Sequence, residues 1–399
     1  LFKNSHSIRL MTGVFDFQVT ERDGDARCGM LSTPHGVIHT PAFMPVATRG
    51  TVKAVTHRDL LGIDTEIILA NTYHLHLRPG IQLIEQLGGL HRFIGWDRPI
   101  LTDSGGYQVF SLASRRTVDE EGVRFRSHLD GEEHLLTPEG VTDLQWALGS
   151  DIAMVFDECV AYPCDASDVG HAMERTLRWA QRARQRFKSL RENSAGANPG
   201  QVQFGIVQGG VDHKLRVISA RETVSLGFDA YAIGGLSVGE PVPVMYEVVA
   251  ETAPSLPEGC PRYLMGAGTP VDLVEAVSRG IDLFDCVLPT RNARNGQLFT
   301  SEGRLNIKQA RFVDDWRPPD EKCNCYTCQR HSRAYLRHLY LADEMSASTL
   351  NTLHNLHFYL DTMRRVRECI KLGTLEALRQ EFRLLDSRLS KAHARTDAD

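Results

Sequence analysis

Short apolar runs alternate with amphipathic stretches along most of this chain. From about residue 35 onward, a run closes on a polar or glycine-rich turn, and a segment with helical spacing of its apolar residues follows. The runs end at Val46, Ala70, Thr102, Phe156, Val207, Ile233, Met265 and Phe284. Among the intervening stretches, 56–62, 138–149, 166–191, 213–227 and 270–280 carry the helical period. Eight strand–helix units in succession predict an α/β protein of the (β/α)8 TIM-barrel class rather than an open, doubly wound sheet.

Departures from the repeat mark the additions. Residues 105–137 interrupt the third unit, and the alternation Val123, Phe125, Ser127 before the turn Asp130-Gly131 predicts a hairpin over the barrel mouth. Residues 13–37, with Asp23-Gly24 as a turn, predict an N-terminal hairpin across the barrel bottom. The stretch 193–200 reads as a flexible loop inside the repeat, not a domain boundary. Beyond the eighth run, 297–299 and 304–307 flank Glu302-Gly303 as a short hairpin, and three helical stretches continue to about residue 389. The expected division is 1–310 for a catalytic barrel with its N-terminal hairpin, 311–390 for a C-terminal zinc-binding helical subdomain, and 391–399 for a disordered tail.

With 399 residues, 42% of them hydrophobic, the chain has ample core for such a fold. The net charge of −5 supplies no general attraction for nucleic acid, so a polyanion site has to be a local patch. No apolar run approaches the roughly 20 residues of a membrane span, and LFKNSHSIRL has no signal-peptide core. The expectation is a cytoplasmic protein without a membrane partner.

Of nine cysteines, Cys28, Cys159, Cys164, Cys260, Cys286 and Cys369 are scattered, whereas Cys323, Cys325 and Cys328 fall together. That pattern predicts reduced thiols and one metal cluster. Three thiolates and one imidazole complete a tetrahedral zinc shell with no position open to water, which makes the site structural. His354 follows 26 residues later, although spacing alone leaves His331, His338 and His357 open. Arg330, Arg333 and Arg337 fall at offsets of zero, three and seven, which would place them on one helical face able to meet a phosphate backbone.

In a barrel of this class, chemistry sits at the carboxyl ends of the strands. The third run delivers Asp103, Ser104, Gly105, Gly106 and Tyr107 there, and the fourth delivers Asp157, Glu158 and Cys159. The fifth brings Gln208 with two glycines, the sixth Gly234, Gly235 and Leu236, the seventh Met265 and Gly266, and the eighth Asp285. A carboxamide, a carboxylate and exposed glycine backbone can bracket the edge of a heterocycle, with Tyr107 and Met265 against its faces. Asp103 and Asp285 then remain as a carboxylate pair suited to double displacement at a glycosidic carbon. A loop after Asp285 carries Arg291 and Arg294, cations suited to phosphates. The motif Asn71-Thr72-Tyr73-His74-Leu75-His76 lacks a third metal ligand and reads as structural or RNA-contacting.

Ten motifs in order along nearly the whole chain give it a close resemblance to bacterial-type tRNA-guanine transglycosylases, the queuine tRNA-ribosyltransferases. They are TPAFMPV, ILANTYHLHLRPG, LTDSGGYQVFSL, FRSHLDGEEHLLTPE, FDEC, GIVQGG, IGGLSVGEP, YLMGAGTP, FDCVLPTRNARNGQ and the CxCxxC cluster with its histidine. The resemblance implies exchange of guanine at the anticodon wobble position of a tRNA with a GUN anticodon for a preformed 7-deazaguanine, without ATP or a redox cofactor. It implies Asp285 as nucleophile on the ribose and Asp103 as proton acceptor for the incoming base. It assigns the base to Ser104, Gly105, Gly106, Tyr107, Asp157, Gln208, Gly235, Leu236 and Met265. It assigns tRNA contacts to Gly266, Ala267, Gly268, Thr269, Pro270, Val271 and Asp272, and to Thr290, Arg291, Asn292, Ala293 and Arg294. Zinc falls to Cys323, Cys325, Cys328 and His354, and the family is commonly homodimeric. Val238 and Cys159 follow the bacterial pattern, which implies preQ1 (7-aminomethyl-7-deazaguanine) as the incoming base rather than queuine. Ala161 and Cys164 depart from it in a loop beyond Asp157. A retaining glycoside hydrolase shares the carboxylate pair but gives no reason for the purine-edge pocket. A non-catalytic RNA-binding partner subunit would be expected to lack one of the two aspartates.

Overall fold

In the computed structural model, residues 15–111 and 116–396 are described, the side chains of residue 111 and of residues 386–396 excepted. Eight parallel strands close into a barrel in chain order. They are β1 (Ala42–Ala47), β2 (Ile68–Asn71), β3 (Ile100–Asp103), β4 (Ile152–Met154), β5 (Val202–Val207), β6 (Ala230–Ile233), β7 (Arg262–Leu264) and β8 (Leu283–Cys286). Pairing of β8 with β1, Leu283 opposite Ala42 through Cys286 opposite Pro45, seals the cylinder. Nearly every strand residue is buried, as a sheet covered by side chains inside and helices outside requires.

The N-terminal hairpin gains a third strand. Asp16–Asp23, Ala26–Thr33 and Gly36–Thr40 form an antiparallel sheet leading directly into β1, with Gly24 in the left-handed region at the first turn. Arg27 pins this sheet to the barrel through Asp282, just before β8, at 2.6 and 2.9 Å. Also at the amino ends of the strands, buried Asp151 accepts from His35, His91 and the Ile100 amide. The two imidazoles stack at 3.6 Å and 13°. Parallel rings cannot both aim in-plane lone pairs at one ion, so this cluster is a hydrogen-bonded knot.

The insertion after β3 likewise exceeds a hairpin. A short helix, Gly106–Ser111, precedes a three-stranded sheet of Arg116–Val118, Val123–Arg126 and Glu133–Leu136. Val123, Phe125 and Leu136 pack on Tyr73, Val141, Phe156 and Trp179, which fastens the sheet to the barrel.

After β8 the chain forms a helix, Leu288–Arg294, where a loop was expected, with a proline in its first turn. The hairpin Gln297–Thr300 and Gly303–Asn306 follows, then helices Tyr326–Arg330, Arg333–Leu341, Met345–Leu372 and Leu375–Thr396. The last helix covers most of the segment expected to be an unstructured tail, and 397–399 lie outside the described residues. Helix Met345–Leu372 joins two cores. Ala347 and Leu350 pack with Leu298, Ile307, Phe312 and Leu336, while Leu356, Tyr359, Met363 and Val366 enter the barrel's cluster. Among the described residues no helix is long and apolar enough to cross a membrane.

Candidate active site and metal centre

Strand β8 ends by presenting Asp285, half-buried, at the barrel mouth. Its Oδ1 accepts from the Tyr263 hydroxyl on β7 at 2.6 Å and from the Gly266 amide at 2.7 Å. Its Oδ2 accepts from no other residue among those described. Burial raises the Asp285 carboxyl above the ordinary range, opposed by the bonds from Tyr263 and Gly266. The result is a carboxylate with one oxygen anchored and the other without a bond from another described residue.

Across the mouth Asp103 closes β3. Asn71 stands opposite it in register on β2, and the Asn71 amide donates to Oδ2 at 2.5 Å. The Thr72 N–H, at the start of helix Thr72–Leu77, donates to Oδ1 at 3.1 Å, and Gln108 reaches Oδ2 at 3.2 Å. Burial, reinforced by the charge of Asp285, pushes the Asp103 carboxyl up to about 7. A group poised there can take and return a proton near neutrality. Within the Asn71–His76 motif, Asn71 and Thr72 are thus the residues that hold Asp103.

Asp157 and Gln208 meet at 2.6 Å between the ends of β4 and β5, and burial raises Asp157 to about 6. Ser104 hydrogen-bonds Asp157 and also accepts from the Gly106 amide at 3.3 Å. A Cβ on Gly106 would lie 2.6 Å from Asp157 Oδ1, and one on Gly235 would collide with the Gln208 carboxamide. Gly105 and Gly235 both have left-handed backbone. These close approaches explain the glycines. Leu236 is buried, whereas Tyr107 is 56% exposed and Met265 half-buried. Glu158 points elsewhere and pairs with Arg175 at 2.6 Å. Cys159 is buried beside Asp157, its thiol pushed up to about 12 by desolvation.

In the segment after β7, Gly266 is exposed and Gly268, Thr269 and Val271 are half-buried, while Ala267, Pro270 and Asp272 are buried. Thr269 and Asp272 form a capping box on helix Pro270–Val277, and Asp272 also accepts from Tyr246 at 2.6 Å. In helix Leu288–Arg294, Arg291 is exposed and Arg294 half-buried, donating to Thr290 O at 2.9 Å. Thr290 and Ala293 face inward, and Asn292 bonds Gln297 at 2.8 Å. The second basic set does not form the expected face. Arg330 ends one helix, and Arg333 opens the next, buried against the carbonyls of Pro318 and Pro319. Arg337 reaches the Gln309 carbonyl at 3.1 Å.

Cys323, Cys325, Cys328 and His354 gather their donor atoms within 4.8 Å of one another. His354 Nδ1 lies 3.8, 3.5 and 3.3 Å from the three sulfurs. Zinc bonds of ~2.3 Å to sulfur and ~2.0 Å to nitrogen at tetrahedral angles separate the two atoms by ~3.5 Å. The donor set fits such an ion. His354 Nε2 donates to Phe299 O at 2.7 Å, which leaves Nδ1 as the ligating nitrogen. His357 approaches Cys323 alone, at 3.6 Å. One residue further, Asn355 bonds Pro289 O, Gln297 O and Phe299 N, each at 3.0 Å, and Asn351 bonds Ala293 O. The cysteine cluster is thereby tied to the segment that follows Asp285.

Sequence reading missed Tyr263, Asn71's bond to Asp103, the Asn351/Asn355 tether and Arg216. Arg216 is fully buried behind the Gln208 and Gly235 loops. Each looks ordinary along the chain, and the signal is positional: Tyr263 lies in the strand beside Asp285, and Asn71 is the last residue of the strand beside Asp103.

The family model described as "Queuine tRNA-ribosyltransferase" matches residues 23–386. A queuine tRNA-ribosyltransferase of Thermoanaerobacter sp. (strain X514) is 54% identical over 358 residues, 90% of this chain and 93% of the relative. Those of Caldanaerobacter subterraneus subsp. tengcongensis and Koribacter versatilis are each 53% identical, covering 92% and 91% of this chain and 96% of each relative. With the match spanning barrel, mouth and cysteine cluster alike, the chain belongs to the queuine tRNA-ribosyltransferase family, and is a pentosyltransferase.

Proposed function

We propose that this enzyme exchanges guanine at wobble position 34 of tRNAs with a GUN anticodon for preQ1, within queuosine biosynthesis, through a covalent tRNA–enzyme intermediate. The observation that carries the reading is the half-anchored carboxylate of Asp285, with Oδ1 held by Tyr263 and Gly266 and Oδ2 bonded by no other described residue. Oδ2 bonds to ribose C1′ as the C1′–N9 bond breaks, and guanine departs with its N9 taking the proton of the Asp103 carboxyl. The incoming base gives its N9 proton to Asp103, N9 bonds to C1′, and the C1′–Oδ2 bond breaks. Two inversions at one carbon retain configuration, and no energy source is needed because one N-glycosidic bond replaces another. An Asp103 carboxyl held near 7 by burial suits the proton transfer.

Asp157, Gln208 and the Gly235 backbone bind the base edge, Ser104 to Gly106 and Leu236 form the floor, and Tyr107 and Met265 cover its faces. Residues 266–272 and 290–294 contact the tRNA around the extruded nucleotide, chiefly through the Gly266 backbone, Arg291 and Arg294. Zinc is held by Cys323, Cys325, Cys328 and His354 in a structural role. The enzyme acts in the cytoplasm as a homodimer. Base exchange tests the function: a GUN-anticodon transcript charged with radiolabelled guanine should lose its label to preQ1, and far more slowly to queuine. A transcript with adenosine at position 34 should take up no label. Absence of any exchange by zinc-replete enzyme would overturn the proposal.

A further inference from the structure

We infer that Arg216 is a positioning residue for base recognition, holding the loops after β5 and β6 so that backbone donors face the pocket. The inference rests on the base-pocket reading above. Arg216 lies on helix His213–Ser225, which follows β5, and is 1% exposed. Among the described residues no carboxylate hydrogen-bonds it. Its Nη1 donates to the carbonyls of Val207 at 2.9 Å and Gly234 at 2.8 Å, Nε to Gly210 at 2.8 Å, and Nη2 to Gly235 at 3.4 Å. Two of these carbonyls belong to the β5 end and its loop, and two to the loop after β6. One guanidinium therefore clamps neighbouring strand ends together.

A cation this deeply buried, with no carboxylate bonded to it, is costly, and desolvation pulls this guanidinium down to about 10 against the opposing charges of Cys159 and Glu240. A core that needed only volume here would be served better by leucine or methionine. What the guanidinium adds is direction. In a trans peptide the N–H points opposite to the C=O. Turning the Gly234 and Gly235 carbonyls toward Arg216 turns the N–H groups of Gly235 and Leu236 away from it. Neither N–H has an acceptor among the described residues, whereas the next two, of Ser237 and Val238, are both taken by Glu240. The Gln208 carboxamide lies directly against Gly234 and Gly235, and Gln208 in turn holds Asp157. Two consecutive free donors beside that pair suit a carbonyl oxygen on the heterocycle.

The test is steady-state exchange with Arg216→Met and Arg216→Lys, varying guanine and tRNA separately, alongside calorimetric guanine binding and thermal melting. Positioning predicts that KM for guanine rises at least tenfold in Arg216→Met, with KM for tRNA within twofold. Arg216→Lys, which keeps charge and some donors, should fall between it and the wild type. A purely structural arginine would lower the melting temperature yet leave guanine affinity unchanged below it, and that result overturns the inference. If Arg216→Met does not fold, the Lys variant decides by the same split. Failure of the base-pocket reading would register differently, as absence of guanine binding and exchange in the wild-type enzyme.

Discussion

Replacing Asp103 with asparagine should abolish exchange while stabilising the fold, and the stabilisation should grow with pH. Burial holds this carboxyl at about 7 against an ordinary 3.8. Because the folded-state value is raised, the associated stability is fully present below pH ~4 and is lost as pH climbs through 7. At ~1.4 kcal/mol per pH unit, that loss is on the order of 4 kcal/mol. Asparagine mimics the protonated form. Its oxygen can accept from the Thr72 amide, and Asn71, whose Oδ1 has no partner, can turn its amide to accept from the new Nδ2. With an unfolding entropy of ~2 cal/mol/K per residue, 4 kcal/mol corresponds to ~5 °C in a chain of this length. Scanning calorimetry of wild type and variant from pH 5 to pH 8 measures it. The difference in Tm should rise from ~2 °C at pH 5 to ~5 °C at pH 8, and taking the difference cancels other titrating groups. A pH-independent difference, or a variant less stable than wild type at pH 8, would refute the assignment of Asp103 as a carboxyl held against its ionisation.

Three further outcomes follow from the geometry. Purified protein should contain one zinc per chain by elemental analysis. Chelation should lower the melting temperature and weaken tRNA binding, because His354, Asn351 and Asn355 tie the cysteine cluster to the segment after Asp285; unchanged melting and affinity in metal-free protein would remove the structural role. Gly106→Ala would place a methyl 2.6 Å from Asp157 Oδ1. At ~1–3 kcal/mol for such overpacking, KM for the base should rise at least ~5-fold with tRNA affinity unchanged, and an unaltered KM would separate Asp157 from the base.

The barrel was legible because its eight strands are buried, largely apolar runs closed by a polar or glycine-rich turn, a pattern that period and punctuation reveal. The mouth residues were legible for the same reason, since architecture fixes which end of each strand carries chemistry. What escaped depends on contacts distant along the chain. The third strand of each added sheet is short and has no clear alternation of its own. Residues 288–294 looked like a loop because Pro289 suggests a break, yet proline in a first turn starts a helix, and packing on helix Met345–Leu372 supports it. Arg333 and Arg216 are arginines in helical patterns that resemble solvated faces; only the fold turns them inward onto carbonyls. Tyr263 sits in an apolar strand, and only its neighbour's Asp285 gives its hydroxyl a purpose.

The covalent step is tested most directly by trapping. Wild-type enzyme incubated with a GUN-anticodon tRNA and a base analogue unable to complete the second displacement should yield a protein–RNA adduct that survives denaturation. Peptide mass spectrometry should locate the ribose on Asp285, and Asp285→Ala should form none. An adduct of equal yield in Asp285→Ala, or one mapped to Asp103, would contradict the assignment of Asp285 as nucleophile.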